Sequence, residues 1–252
     1  MSPETVALLA GAGLLAGAVN AVAGGGSLIS FPALLAAGYP AVSANVTNTV
    51  ALFPGYAGSV AGGRPELEGQ GPTVKVLAAT GVLGGVCGAV LLLTTPGDVF
   101  EAVVPFLILL ACALLVAQPW LAKQVQRRGG GRRSAHSPVM LLAVLLSAVY
   151  GAYFGAGLGV LLLGVLGVFL AEPLRRINAL KNVSSLVINT VALVAFGLFG
   201  PVAWEAVLVI AVTALVGGFV GAKVASRIPS ALLRTLVVLY GVVVSVVLLV
   251  QD

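Results

Sequence analysis

The chain has 252 residues, of which 60% are hydrophobic and 8% are charged, and its mean hydropathy is +1.13. A soluble globular domain carries about 25% charged residues, so this composition excludes a protein whose whole surface faces water. The net charge of +5 does not indicate nucleic-acid binding, because the Lys and Arg residues lie in short segments between apolar runs, where they act as orientation signals in membrane proteins.

The N-terminal segment, MSPETVALLAGAG, contains Glu4 but no Lys or Arg. A cleaved secretory signal has a basic region before its apolar stretch. We therefore expect Met1 to be retained and the first apolar helix to stay in the membrane.

The first apolar run is interrupted by GAVNAVAGGGSLISFP at residues 17–32. In lipid, a broken helix leaves backbone groups without water, so such a break is tolerated only where protein surrounds it. We expect Gly24, Gly25 and Gly26 to form a bend, called here the first bend, whose N–H groups face an anion together with the N-terminus of the next helix. Ser27 is the predicted N-cap of that helix. Asn20 precedes the bend and contacts either the ligand or the freed backbone.

The segment that follows the first bend, residues 27–38, is too short to cross the membrane. Twelve residues span about 18 Å as a helix, whereas the hydrocarbon core is about 30 Å thick. A half-length helix is therefore predicted, ended or kinked by Pro32, and residues 160–171 form a second one. The pattern does not decide whether these short segments cross fully or are re-entrant.

Long and nearly uncharged windows make up most of the remaining chain. Each is close to the roughly 20 residues that a membrane-spanning helix needs. They cover residues 76–96, 102–122, 139–158, 206–222 and 231–250. The sequence therefore predicts an all-α, polytopic membrane protein.

The two halves of the chain resemble each other at a constant offset. GAVNAVAGGG at Gly17 matches GAYFGAGLGV at Gly151, and ANVTN, ending at Asn48, matches NALKN, ending at Asn182, both 134 residues apart. GGVCGA at residues 84–89 recurs as GGFVGA at 217–222, and these small-residue stripes predict close helix packing. Internal repeats of this size are typical of secondary transporters, whose substrate site lies where the repeats meet. The predicted divisions are repeats at 1–122 and 138–252, with a basic, exposed linker at 123–137.

The distribution of Lys and Arg favours five membrane segments per half over four. With four, the linker and the basic turn at residues 223–234 would face opposite sides of the membrane. With five, all the basic sites share one side and the acidic sites share the other, as the positive-inside rule requires. An odd number of segments gives the repeats inverted topology, with both termini outside the cytoplasm and the linker within it.

Several polar residues are candidates for a substrate site between the repeats. Asn48 and Asn182 occupy matched positions and are expected to meet near the pseudo-symmetry axis. A buried amide in lipid can instead bond neighbouring helices, which we expect of Asn189. Lys181, within an apolar run, either attracts the anion or extends to the cytoplasmic interface. The further candidates are Asn45, Thr47 and Asn178, together with Gly155, Gly157 and Gly159, which form a second bend.

These motifs, GAVNAVAGGGSLISFPALLAAG, ANVTNTVALFPG and NALKN, resemble the sulfite exporter TauE/SafE family of membrane permeases. The resemblance extends over nearly the whole chain. It implies a secondary transporter that moves small anions, typically sulfite or small sulfonates, across the bacterial inner membrane by alternating access.

Two other functions remain open, a passive anion channel and an accessory membrane subunit without transport activity. An enzyme is not expected, because the single His, His136, lies in the polar linker and leaves no buried Ser–His pair or His-rich metal site. The glycines of the second bend lack the βαβ context of a nucleotide-binding motif. We expect no cofactor, metal or nucleic acid, a proton or another ion as the coupling partner, and lipid around the protein. The anion, the transport direction and the oligomeric state stay undetermined.

Overall fold

The computed structural model describes residues 1–22, 25–127, 137–224 and 230–251, and these residues form ten α-helices and one short 3-10 helix. The first half contains α1 (Pro3–Val22), α2 (Ser27–Ala36), α3 (Ala41–Gly62), the 3-10 helix (Arg64–Leu67), α4 (Gly71–Thr94) and α5 (Gly97–Arg127). The second half contains α6 (Pro138–Tyr153), α7 (Leu158–Phe169), α8 (Leu174–Phe199), α9 (Trp204–Val224) and α10 (Ser230–Gln251).

Within those described ranges, six helices are long and apolar enough to cross a membrane: α1, α4, α5, α8, α9 and α10. Their outward faces carry exposed large apolar side chains, such as Phe106 and Leu208 at 60% and 68% exposure. Such a surface is stable in lipid but not in water. The prediction of a polytopic, helical membrane protein is therefore confirmed.

Each half of the described chain has five helices, the number of membrane segments predicted for it, but only three of the expected four full spans per half are long and apolar enough to cross a membrane. The two short segments are the helices α2 and α7, of 10 and 12 residues. Pro32 lies inside α2 and does not end it, so of the two expected roles only the kink stays a prediction. The helix α5 continues to Arg127, into the segment predicted as linker, and the linker residues 128–136, including His136, lie outside the described residues.

Equivalent helices of the two halves make equivalent contacts. The helix α1 packs on α9 as α6 packs on α4, while α3 packs on α8 and α5 on α10. The predicted glycine stripes lie at these contacts. A Cβ atom on Gly217 would collide with the backbone of Leu14 on α1, and one on Gly84 would collide with Ala148 on α6. Glycine at these positions lets the helix axes approach closely.

Two of these contacts pair equivalent helices, and both pairs run antiparallel. Between α3 and α8, Asn182 lies beside Ser59, whereas Ala179 lies beside Gly63. Between α5 and α10, Cys112 contacts the carbonyl of Val238, whereas Ser245 donates to the carbonyl of Pro105 at 2.7 Å. Residue numbers rise along one helix as they fall along the other, so the equivalent helices point in opposite directions.

Candidate functional site

The second bend is held in a conformation that only glycine adopts easily. Gly155 and Gly157 have φ angles of 83° and 79°, and Gly157 is the N-cap of α7. The hydroxyl of Tyr150 donates to the carbonyl of Ala156 at 2.6 Å, which fixes the bend against α6. An L-residue with a side chain would be strained at either glycine.

The first bend is fixed by a side chain of α1. Gly25 has a φ of 98°, and the N–H of Gly26 donates to Oδ1 of Asn20 at 2.8 Å. Asn20 therefore bonds the freed backbone, one of its two expected roles. Ser27 is the first residue of α2 and not its N-cap, because Gly26 occupies that position without a side-chain cap. Gly24 lies outside the described residues.

Both bends line one central cavity of about 660 Å³. They approach the same stretch of α5, since Gly25 lies beside Leu115 and Gly157 lies beside Ala111 and Leu114. Of the predicted site residues, the cavity wall includes Asn20, Gly25, Ser27, Gly157, Gly159, Lys181 and Asn182. The volume is in the range of small-molecule binding sites.

Lys181 is the only charged side chain among the described residues that line the cavity. It lies next to Gly159, because a Cβ atom at Gly159 would be 3.8 Å from Cδ of Lys181. No ion pair is formed by Lys181 within the described part of the chain. An unpaired ammonium group in such a cavity attracts an anion.

The second bend adds backbone donors to the same wall. The carbonyl of Gly157 accepts bonds from the N–H groups of Val160 and Leu161 in the first turn of α7. The N–H groups of Gly157 and Gly159 themselves donate to no acceptor in residues 137–224 or in the other described ranges. Free N–H groups at a helix N-terminus are the usual protein contacts of an oxyanion.

Asn182 also faces the cavity, where its Nδ2 is 3.4 Å from the carbonyl of Ser59. The matched Asn48 does not. It is 2% exposed, and its Oδ1 accepts a bond from Ser30 of α2 at 2.5 Å. Asn182 contacts α3 at Ser59, which lies eleven residues after Asn48 on that helix. The rise of an α-helix over eleven residues separates the two amides by about 16 Å. The expectation that they meet at the pseudo-symmetry axis is wrong.

Four further candidates lie away from the cavity wall. Asn45 donates to the carbonyl of Tyr153 at 2.8 Å, and Thr47 accepts a bond from the N–H of Ala203 at 3.0 Å. Asn178 and Gly26 are not among the residues that line the cavity. Asn189 is buried and donates to the carbonyl of Ser185, one turn earlier on α8, so this bond does not join two helices.

Sequence reasoning missed four polar residues of the wall, namely Tyr56 and Ser59 on α3, Gln118 on α5 and Ser185 on α8. Oε1 of Gln118 is buried and accepts no hydrogen bond from any described residue. The sequence does carry a signal, since Gln118 is an isolated amide in the apolar window 102–122, directly before Pro119. Tyr56 interacts with the side chain of Asn189.

The cavity lies toward one end of the bundle. Its α3 wall is the C-terminal half, residues 51–59, which leads to Arg64, and its α8 wall begins at Lys181, just after Arg175 and Arg176. Toward the other end, the bundle is filled by the edge-to-face aromatic pairs Phe31–Phe154 and Phe100–Tyr153. The cavity is therefore displaced toward the end that carries these Arg residues.

Known proteins similar to this chain are named as transporters. It is 29% identical to a protein of Sinorhizobium sp. named "Probable membrane transporter protein ORF9", over 97% of this chain and 92% of that protein. It is 28% identical to "Probable membrane transporter protein YfcA" of Escherichia coli strain K12, over 99% and 91% of the two chains. It is 26% identical to a "Probable membrane transporter protein" of Haemophilus influenzae, over 94% and 91%.

No solved structure matches the chain. The sequence profile described as Sulfite exporter TauE/SafE matches residues 9–248. The motifs of both halves fall within that range. The chain is therefore a multi-pass membrane transporter protein, and it belongs to the sulfite exporter TauE/SafE family.

Proposed function

We propose that the protein is a secondary transporter that moves small anions, such as sulfite, sulfonates or related organosulfur anions, by alternating access. The observation that carries this proposal is the central cavity, which both bends line and in which Lys181 has no ion-pair partner among the described residues. An anion would supply the missing partner.

The electrostatics of the wall favour an anion over a cation or a neutral solute. Lys181 contributes a full positive charge, and the free N–H groups of Gly157 and Gly159 contribute partial positive charge at the N-terminus of α7. No Asp or Glu is among the described residues of the wall. A cation would be repelled by the ammonium group of Lys181, whereas an oxyanion would accept bonds from several donors.

The antiparallel pairs α3–α8 and α5–α10 support inverted repeats. In transporters of that kind, the substrate site lies between the repeats and opens to each side in turn. The cavity of this structure lies toward the basic end, so we assign this conformation to the state that opens there. By the positive-inside rule we expect that end to face the cytoplasm, and we propose that the linker lies inside the cell and that the protein is in the bacterial inner membrane.

Transport is tested in proteoliposomes with labelled sulfite and a panel of sulfonates, with Lys181→Met as the variant. Loss of an ammonium group that contacts the anion removes a charge-assisted hydrogen bond, so we expect uptake to fall by at least about tenfold. Lys75→Met is the matched control, because Lys75 is an exposed residue of α4 outside the cavity, and its uptake should equal that of wild type. Equal uptake by Lys181→Met and wild type would contradict the proposed site.

A passive anion channel would use the same donors, so flux alone does not separate the two mechanisms. We expect a substrate trapped inside the liposomes to accelerate entry of labelled substrate, and we expect entry to saturate. An imposed proton gradient should drive accumulation if the proton is the coupling ion. A non-saturating flux without exchange would identify a channel, and no flux of any tested anion would favour an accessory subunit.

A further inference from the structure

Gln118 lies on the face of α5 that forms part of the cavity wall. Leu115, one turn before it, and Ala111, two turns before it, also line the cavity, so the three residues form one stripe. Leu115 contacts the first bend, and Ala111 contacts the second. The amide of Gln118 is therefore placed on the wall between the two bends and the end of the bundle that carries Arg127.

Oε1 of Gln118 is buried, and no group in the described ranges donates to it. Other donors line the same cavity, including Ser59, Ser185 and Asn182, but none is bonded to this oxygen. A buried acceptor without a donor is unfavourable in a low-dielectric site. Gln118 itself lines the cavity, so a rotation of its amide would bring Oε1 to a bound solute that carries a hydrogen-bond donor.

The rest of the wall suits an organic solute better than an inorganic ion. The cavity measures about 660 Å³, far more than an anion of four heavy atoms fills. Its wall includes the apolar side chains of Leu28, Leu52, Leu158 and Val160. A carbon-containing body would pack against these side chains, while its anionic group pairs with Lys181.

We propose that Gln118 is a specificity-determining residue that accepts a hydrogen bond from a hydroxyl or amino group of an organic anion. The proposal rests on the proposed function, because it assumes that the anionic group of the same solute lies near Lys181 and Gly159. The wall offers donors and a cation to the anionic group and an acceptor to a second polar group. Fully ionised sulfite has no donor and leaves Oε1 unpaired.

The test compares two ligands of equal size, 2-hydroxyethanesulfonate and propane-1-sulfonate, which differ by a hydroxyl in place of a methyl group. Binding to the purified full chain is measured by calorimetry or by ligand-dependent thermal stabilisation. Wild type should bind the hydroxylated ligand at least about fivefold more tightly, the factor expected for one hydrogen bond. Gln118→Leu should bring the ratio of the two affinities to about one and leave the affinity for propane-1-sulfonate unchanged.

Gln118→Met, which is unbranched and similar in length, should behave as Gln118→Leu does, and retained propane-1-sulfonate binding shows that either variant is folded. If neither variant folds, the wild-type ratio decides alone, and a ratio of one overturns the inference. A variant that weakens both ligands equally would overturn it too, because Gln118 would then donate to the anionic group. If either variant still binds 2-hydroxyethanesulfonate more tightly than propane-1-sulfonate, another residue accepts the bond from the hydroxyl, and the inference is overturned. If wild type binds neither sulfonate nor sulfite, the proposed function fails together with this inference.

Discussion

Gly159 and Lys181 are neighbours in the wall of the central cavity, so that a methyl group on Gly159 would contact Cδ of the lysine at 3.8 Å. The contact joins the first turn of α7 to α8, and it places the only charged side chain of the described wall beside free N–H groups. The charge and the backbone donors therefore act on the same small volume.

This contact makes stability and transport respond in opposite directions to Gly159→Ala. The new Cβ makes an ordinary van der Waals contact, and alanine in a helix is favoured over glycine by up to about 1 kcal/mol. We expect an equal or higher Tm. The methyl group nevertheless covers part of the N–H and ammonium surface, so we expect anion uptake to fall several-fold in the proteoliposome assay.

Gly164→Ala is the matched control for that variant. Gly164 also lies in α7, but a Cβ atom there would contact Leu121 of α5 at 3.5 Å, and Gly164 is not part of the cavity wall. Its Tm should equal or exceed that of wild type with uptake unchanged. A parallel loss of uptake in both variants would show that α7 must stay flexible, and the electrostatic explanation would be wrong.

The first bend gives a second prediction, because the N–H of Gly26 donates to Oδ1 of Asn20 and so ties the bend to α1. Asn20→Leu removes the acceptor and should lower the free energy of unfolding by about 1 kcal/mol, which is measured as a lower Tm. Asn20→Asp keeps an acceptor for Gly26 and should retain most of the stability. Its negative charge lines the cavity, however, so uptake of anions should fall in that variant. If anion uptake by Asn20→Asp equalled that of wild type, the substrate would not bind near Asn20.

Much of the fold follows from the sequence, because the physical signals are local. Apolar windows of about 20 residues predict long helices, and glycine runs predict the two bends. The site was predicted less well. Asn48 and Asn182 occupy matched positions in the repeat. Asn48 is nevertheless buried and accepts a bond from Ser30, whereas Asn182 faces the cavity. Gln118 is recognisable in the sequence as an isolated amide, but its place in the cavity wall is not, since the face of an apolar helix that meets a cavity depends on tertiary packing.

The separation of the two matched amides is itself testable. Asn48→Ala removes a buried acceptor of Ser30, and we expect a loss of about 1–3 kcal/mol in the free energy of unfolding. Transport per folded molecule should change little. Asn182→Ala should show the reverse, with reduced uptake and a Tm close to that of wild type, because its contact with Ser59 is long, at 3.4 Å. Equal effects of the two substitutions on uptake would restore the symmetric arrangement predicted from the sequence.

The packing of α1 on α9 yields the last prediction, through two glycines of the same helix. A Cβ atom on Gly13 would collide with Oγ1 of Thr213 and lie 3.0 Å from the carbonyl oxygen of Ile210, whereas one on Gly11 would meet no atom within 4 Å. Overpacking costs about 1–3 kcal/mol, so Gly13→Ala should lower the Tm, measured in detergent. Gly11→Ala should leave it equal or higher, because alanine is the better helix former. If both variants had the wild-type Tm, α1 and α9 would be packed too loosely for the glycine to matter, and the close contact between the two halves would not exist in the membrane.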